Sequence, residues 1–179
     1  MMNDFKCTLR DGRTLAVAEA VPADACELLA YMKIVGGETD FLLVDAKGLP
    51  LTVEQEQAFL EDKMKQPNSA LLLGRIGGEL AATVGVSGTT HPRLSHIADV
   101  GISVEKKFWH IGVGGAMMEA AFAFAREAGI RSLTLGARAD NTRAIALYER
   151  LGFVQYGRRK DALLMRGEYY DEILMQLML

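Results

Sequence analysis

A strand-like run, a long apolar helical run and a second strand-like run follow one another in the middle of the chain. The first strand-like run is HIADVGISV, residues 96–104, and the second is RSLTLGA, residues 131–137. Between them, residues 112–128 repeat apolar side chains at helical spacing and carry few charges, which predicts a largely buried helix. A crossover helix of this kind joins two parallel strands through a right-handed connection. We therefore expect a parallel strand pair packed against one buried helix.

The remaining strand-like segments indicate hairpins. Two runs within residues 5–20 flank Asp11–Gly12, and two runs within residues 70–88 flank Gly77–Gly78, and both dipeptides are common in hairpin turns. The tail, residues 153–179, is interpreted as two long strands. Because hairpins pair antiparallel strands, the predicted sheet is mixed and mostly antiparallel.

Helical patterns separate these hairpins. One helix begins at Pro22 and ends at Gly36–Gly37, and a second begins after Thr52 and ends before Pro67. Residues 38–51 between them are interpreted as a loop. A further helix lies between the second strand-like run and the tail. The order of elements predicts an α/β fold with a mixed, mostly antiparallel central sheet and helices on both faces.

Composition and charge exclude several classes of protein. A chain of 179 residues fits one domain, which we place at residues 1–179. The formal net charge of −3 gives no general attraction to nucleic acid, and no apolar run is long enough to span a bilayer. The opening MMNDFKCTLR lacks the apolar region of a signal peptide, and Cys7 and Cys26 lack metal-ligand spacing. We expect a cytoplasmic protein without metal, nucleic-acid or membrane partners.

A glycine-dense turn, HIGVGGAM at residues 110–117, precedes the buried helix. The first amides of a helix have no intrahelical acceptor and carry the positive end of the dipole, so they form an anion site that glycine leaves open. The dinucleotide fingerprint needs glycine where this chain has Met117, and the P-loop needs a lysine that does not follow these glycines. Both nucleotide motifs are therefore excluded.

A second motif, NTRAIALYERLGF at residues 141–153, combines helical spacing with a Leu-Gly-Phe exit. With the glycine turn, it resembles the core of the GNAT acyltransferases, which carry [QR]-x-x-G-x-[GA] followed by an Asn-to-Leu-Tyr-Glu-x-Leu-Gly-Phe helix. Gly112 and Gly114 match the turn, and Trp109 stands where the family usually has glutamine or arginine. The resemblance is strong in sequence from about residue 98 to residue 153.

The resemblance implies the GNAT acyl-CoA N-acyltransferase fold, with acetyl-CoA (coenzyme A) as co-substrate. In this family the coenzyme pyrophosphate lies on the amides of the glycine turn, and the pantetheine arm enters where the two parallel strands part. Carried onto this sequence, the implied coenzyme contacts are Ile102, Ser103, Val104, Trp109, His110, Ile111, Gly112, Val113, Gly114, Gly115, Asn141 and Tyr148.

The resemblance also implies transfer of an acetyl group to a primary amine by direct attack in a ternary complex. Tyr148 is the predicted general acid for the thiolate, with an ordinary amphipathic-helix tyrosine as the alternative. A backbone N–H near Val104 would face the thioester carbonyl. Asp99 stands where many relatives have glutamate and is a candidate base; a paired or solvated strand-face aspartate and a base at His96 are the alternatives.

Several interpretations stay open at this level. Glu38 and Asp40 belong to an acidic stretch that suits a cationic acceptor or is simply solvated. The basic run GRRKD, residues 157–161, would contact the coenzyme 3′-phosphate or lie at a solvated strand edge. The apolar final strand would pack at a homodimer interface or in the core. The acceptor is a small-molecule or protein amine. A coenzyme-binding sensor without turnover is the alternative to an enzyme.

Overall fold

The structure is a computed structural model that describes residues 5–179. The first four residues of the opening segment MMNDFKCTLR lie outside the described residues. One eight-stranded sheet has the order β1-β2-β3-β4-β5-β6-β8-β7. Its strands are β1 (Phe5–Thr8), β2 (Thr14–Glu19), β3 (Ser69–Ile76), β4 (Glu79–Gly88), β5 (Ile97–Val104), β6 (Ser132–Arg138), β7 (Val154–Met165) and β8 (Glu168–Met178).

Four α-helices connect these strands in the predicted order. They are α1 (Ala25–Glu38), α2 (Val53–Met64), α3 (Val113–Glu127) and α4 (Thr142–Arg150), with short 3-10 turns at Pro22–Asp24 and Lys106–Phe108. Neighbouring strands pair antiparallel throughout the sheet except β5 and β6, which are parallel. The predicted mixed sheet with one parallel pair is therefore confirmed.

Helices cover both faces of the sheet, as predicted. Side chains of successive strand residues point to opposite faces of the sheet, so Leu72 and Leu73 of β3 lie on opposite faces. Leu72 packs in the cluster that contains α3 and α4, and Leu73 packs in the cluster that contains α1 and α2. We refer to these as the α3 face and the α1 face.

Helix α3 lies close against the sheet because its inner surface is made of small or flexible side chains. Met117, Ala120 and Ala121 are fully buried. A Cβ on Gly74 of β3 would lie 2.4 Å from the Met117 sulfur, so the glycine provides the space that the methionine fills. Close packing of α3 fixes the position of its first turn relative to β5.

The prediction that Gly36–Gly37 ends the first helix is wrong. Helix α1 continues to Glu38 and includes both glycines. A Cβ on Gly36 would lie only 2.2 Å from the backbone oxygen of Asp45. Glycine is required there because the loop at 39–51 crosses the helix at backbone contact, which is a constraint that sequence spacing does not reveal.

The parallel strands β5 and β6 are paired over only part of their length. The paired residues are Ile97 with Ser132, Ala98 with Leu133, and Asp99 with Thr134. Beyond Asp99, β5 stays paired with β4 on its other edge as far as Val104. The edge of β5 that faces β6 is therefore open from residue 100 to residue 104. Within the described residues, no helix is both long and apolar enough to cross a membrane.

Candidate functional site

The gap between β5 and β6 opens into a cleft of 1210 Å³. The glycine turn, the second half of β5 and the inner side of α4 all line it. Every predicted coenzyme residue except Ile111 is among the lining residues: Ile102, Ser103, Val104, Trp109, His110, Gly112, Val113, Gly114, Gly115, Asn141 and Tyr148. The structure thus gathers these residues around one space.

The glycine turn leaves the start of α3 uncapped. Gly112 is the N-cap residue at φ +100°, a left-handed conformation that favours glycine, and no side chain from residues 5–179 caps the helix. A Cβ on Gly114 would lie 3.2 Å from a methyl carbon of Leu147, so that glycine lets α3 approach α4. A Cβ on Gly115 would project into open space. The first amides of α3 therefore have neither a capping side chain nor a Cβ at Gly115 over them, which fits a bound pyrophosphate.

The backbone of β5 presents alternate residues to the gap. The N–H of Glu105 donates to the backbone oxygen of Ala81 at 3.0 Å, so Glu105 faces β4. In an antiparallel pair this direction alternates, so the backbone groups of Ile102 and Val104 face the gap. The carbonyl of Val104 accepts the indole N–H of Trp109 at 2.7 Å. The N–H groups of Ile102 and Val104 are therefore the donors that β5 offers along the gap.

Ser103, between those two residues, turns its backbone toward β4. Its hydroxyl is buried on the α1 face, where it hydrogen-bonds the hydroxyls of Tyr31 and Thr83, each at 2.9 Å. Burial raises the pKa of Tyr31 well above its usual value, so this phenol stays protonated. The three hydroxyls couple α1 to β4 and β5 beneath the cleft. Sequence reasoning did not single out Tyr31 or Thr83, since no local pattern indicates this contact.

Two arginines flank the glycine turn. The guanidinium of Arg143 on α4 lies 4.2 Å from the ring centre of Trp109. Arg10, in the connection between β1 and β2, donates its backbone N–H to Ile111 at 3.0 Å and also lines the cleft. Trp109 thus positions a cation where the family usually has its own polar side chain. Arg143 stands inside the second motif, whereas nothing in the local sequence marked Arg10.

Asn141 caps the start of α4, and Tyr148 lies in the last turn of the same helix. The Asn141 side chain accepts the N–H of Ala144 at 3.2 Å, which makes it the N-cap. Tyr148 is buried, and its ring packs edge-on against Phe153 with 5.8 Å between ring centres. Burial raises the pKa of Tyr148 to about 12. Its hydroxyl is therefore protonated at neutral pH, and Tyr148 is one of the residues that line the cleft.

The two candidate bases lie outside the main cleft. Asp99 accepts a hydrogen bond from the Thr134 hydroxyl and lines a smaller cavity of 340 Å³. Val100, Gly136 and Arg159 line both spaces, so the smaller cavity adjoins the cleft. His96 is exposed at the start of the parallel pair, where its carbonyl accepts the N–H of Ser132.

Glu38 and Asp40 are engaged in contacts within the protein. A Glu38 carboxylate oxygen accepts the backbone N–H of Lys106 at 2.7 Å, and Asp40 pairs with Arg166 at 2.8 Å. Neither carboxylate is among the residues that line the cleft. The loop between α1 and α2 instead presents apolar side chains to the cleft, namely Phe41, Leu42, Leu43, Leu49 and Leu51.

The basic run at 157–161 is tied to the neighbouring strand. Arg158 pairs with Asp171 at 2.6 Å, and Arg159 donates to Glu172 at 2.8 Å. Arg159 and Glu172 also line the cleft, on the side of β8. The pair of Arg159 and Glu172 therefore lies in the wall of the cleft, and the pair of Arg158 and Asp171 lies outside it.

Comparison with known families shows which family this sequence matches. The sequence matches the model of the acetyltransferase (GNAT) family over residues 41–153. The chain belongs to the GNAT family. This GNAT protein is therefore an acyltransferase, and acetyl-CoA is the co-substrate of the GNAT acetyltransferases. The non-catalytic sensor has no support in these comparisons.

Individual relatives agree with the family assignment. The L-amino acid N-acetyltransferase AaaT of Escherichia coli (strain K12) is 30% identical over 111 residues, which is 62% of this chain and 68% of that protein. A GNAT-family acetyltransferase from Streptococcus pneumoniae has a crystal structure with a TM-score of 0.88 and 33% identity, covering 92% of this chain and 99% of that one. The yncA protein of Salmonella typhimurium, solved with its cofactor acetyl-CoA, shares the fold at a TM-score of 0.78 and 18% identity, over 92% of this chain and 94% of that one.

Proposed function

We propose that this GNAT protein transfers an acetyl group from acetyl-CoA to the primary amine of a small molecule by direct attack in a ternary complex. The observation that carries the proposal is the opening of β5 away from β6 next to the uncapped start of α3. One cleft therefore brings together the free amides at the start of α3, the open strand-edge donors of β5 and Tyr148, which supports the proposal. We further infer that residues 1–179 form a single N-acetyltransferase domain, since one sheet includes strands from Phe5 to Met178.

Coenzyme binding is assigned to three groups of this chain. The free amides at the start of α3 would hold the pyrophosphate, and the cations of Arg10 and Arg143 would add attraction for phosphate at the same end of the cleft. The gap-facing N–H of Ile102 would pair with the pantetheine arm as an added strand does. When bound, acetyl-CoA supplies an activated acetyl thioester at the open edge of β5.

Two groups act on the reacting atoms in this proposal. The N–H of Val104 faces the gap and would stabilise the oxyanion that forms as the amine attacks. Tyr148 would donate its hydroxyl proton to the sulfur as the carbon–sulfur bond breaks, and its raised pKa keeps that proton in place until then. For removal of the ammonium proton we retain Asp99, acting through water, because its cavity adjoins the cleft.

A small-molecule acceptor is favoured because the Escherichia coli relative is named for L-amino acids. The test is a purified-enzyme assay with acetyl-CoA and a panel of L-amino acids, simple amines and short peptides. Thiol release is followed spectroscopically, and acetylated products are identified by mass spectrometry. A protein-only control corrects for the exposed thiol of Cys26.

We expect acceptor-dependent thiol release with at least one small amine. Binding of acetyl-CoA without release for any acceptor would refute the proposed activity. Release with peptides alone would refute the small-molecule acceptor and leave acetyl transfer standing.

A further inference from the structure

The α1 face of the sheet has an open floor beside the gap. Gly85 of β4 and Gly101 of β5 are paired partners, and both line the cleft. A Cβ on Gly101 would meet nothing within 4 Å, and one on Gly85 would meet only a methyl carbon of Leu71, at 3.8 Å. Glycine weakens a strand interior because it has no side chain to pack. Here the missing side chains leave space that no other part of the described chain fills.

Apolar side chains surround this floor. They come from α1, from α2, from β3 and from the loop between the two helices, and they are Leu28, Met32, Phe59, Leu71, Leu42 and Leu51. Walls of this kind bind the apolar body of a small molecule. The hydroxyls of Ser103 and Thr83 on the same face are already hydrogen-bonded to each other, and that of Ser103 also to Tyr31. The pocket is thus shaped for an apolar group next to the open edge of β5.

One carboxyl group interrupts the apolar wall. Glu56 on α2 lines the cleft, is only 1% exposed, and has an Oε2 atom without a hydrogen-bond partner in the described part of the chain. Burial raises the pKa of this carboxyl, which reflects the cost of ionising it there. Leu60, one turn later on the same helix, is also buried. Its apolar side chain packs there without the free-energy cost of burying a carboxyl group. A buried polar atom that has no hydrogen-bond partner among the described residues indicates a partner in a bound ligand.

We propose that Glu56 binds the ammonium group of the acceptor, while the glycine-floored pocket holds the acceptor's apolar body. Glu56 is then a specificity-determining residue, and small amines with an apolar body are the preferred acceptors. The inference rests on the proposed acetyl transfer to an amine, and it names which amines and which side chain selects them.

Direct binding tests this without turnover. Phenethylamine and its neutral analogue 2-phenylethanol are titrated by ligand-observed NMR in the presence of coenzyme A. The proteins are the wild type, Glu56→Gln, Gly101→Val and Glu61→Gln, the last removing an exposed carboxylate from the same helix as a matched control. Calorimetric titration of coenzyme A on each variant reports whether the fold is intact.

We expect the wild type and Glu61→Gln to prefer the amine by about tenfold or more, the usual strength of a hydrogen bond to a charged group. Glu56→Gln should lose this preference, and Gly101→Val should weaken binding of both ligands, with coenzyme A affinity unchanged throughout. A preference that survives in Glu56→Gln, or failure of the wild type to bind the amine in preference to the alcohol, overturns the inference.

Thiol release with phenethylamine on the same proteins separates the two proposals. Glu56-dependent binding without thiol release from phenethylamine or any other acceptor of the panel refutes acetyl transfer and leaves the role of Glu56 in binding. Thiol release that is equal in the wild type and Glu56→Gln refutes the role of Glu56 and leaves acetyl transfer standing.

Discussion

Tyr148→Phe separates a catalytic phenol from a structural one. The ring of Tyr148 packs against Phe153, and a phenylalanine preserves that contact. Burial is the cause of the raised pKa of Tyr148, and no hydrogen bond from another described residue contributes to it. Removal of the hydroxyl therefore leaves no partner unsatisfied, and we expect the unfolding free energy to change by no more than about 1 kcal/mol at pH 7.

The catalytic effect should be much larger. General acid catalysis contributes about 10²-fold or more to a rate, so kcat of the Phe variant should fall by that factor. The affinity for acetyl-CoA, measured by calorimetry, should stay at the wild-type value because the proposed pyrophosphate contacts are amides of α3 and not the phenol. Wild-type kcat in the variant would refute the acid role.

The raised pKa adds a stability signature. The pKa of Tyr148 rises from 10.0 to about 12 on folding, so folding favours the protonated phenol. Below pH 10 this effect is fully present and the wild type keeps its stability relative to Tyr148→Phe; as the pH rises from 10 to about 12, the wild type loses about 2–3 kcal/mol relative to that variant. The difference in unfolding free energy between wild type and Tyr148→Phe should change by that amount across this interval, as measured by urea titration. A pH-independent difference would refute the assigned environment of the hydroxyl.

Three further predictions concern the coenzyme end of the cleft and the loop over α1. Arg143→Ala should weaken acetyl-CoA binding about tenfold at low salt and less at high salt, measured by calorimetry, because a charge contact to phosphate is screened; equal loss at both salts would contradict a charge contact. Gly115→Val should abolish acetyl-CoA binding while circular dichroism and Tm stay near wild type, since its Cβ enters open space over the free amides; retained binding would contradict the amide cradle. Gly36→Ala should lower the unfolding free energy by about 1–3 kcal/mol, because the new Cβ meets the Asp45 backbone; an unchanged urea midpoint would contradict that contact.

Local sequence patterns predicted the order of the elements, the glycine turn and the cap of α4 because the physics there is local. The cap at Asn141 and the left-handed glycine at 112 are set by neighbours within one helical turn. Periodicity placed α3 and α4 on the sheet, and the spacing of the two motifs gave the family resemblance. These features depend on bonds between residues close in the chain, so one sequence is enough to predict them.

The acceptor side could not be predicted in the same way. Glu38 and Asp40 looked suited to an amine, yet their carboxylates contact Lys106 and Arg166. The buried carboxyl is Glu56, whose local sequence is that of an ordinary polar helix. Its burial depends on how α2 lies against β3 and the loop, which involves residues far apart in the chain.

By itself, the sequence determined the order of helices and strands, the uncapped glycine turn and the motif that carries Tyr148. Tertiary structure alone decided where β5 leaves β6, why Gly36 lies inside a helix, and that Gly85, Gly101 and Glu56 share one pocket. The physical reason is the distance along the chain between the residues that interact. Helical periodicity and capping act within a few residues, whereas a pocket is defined by the space left between elements that long-range packing brings together.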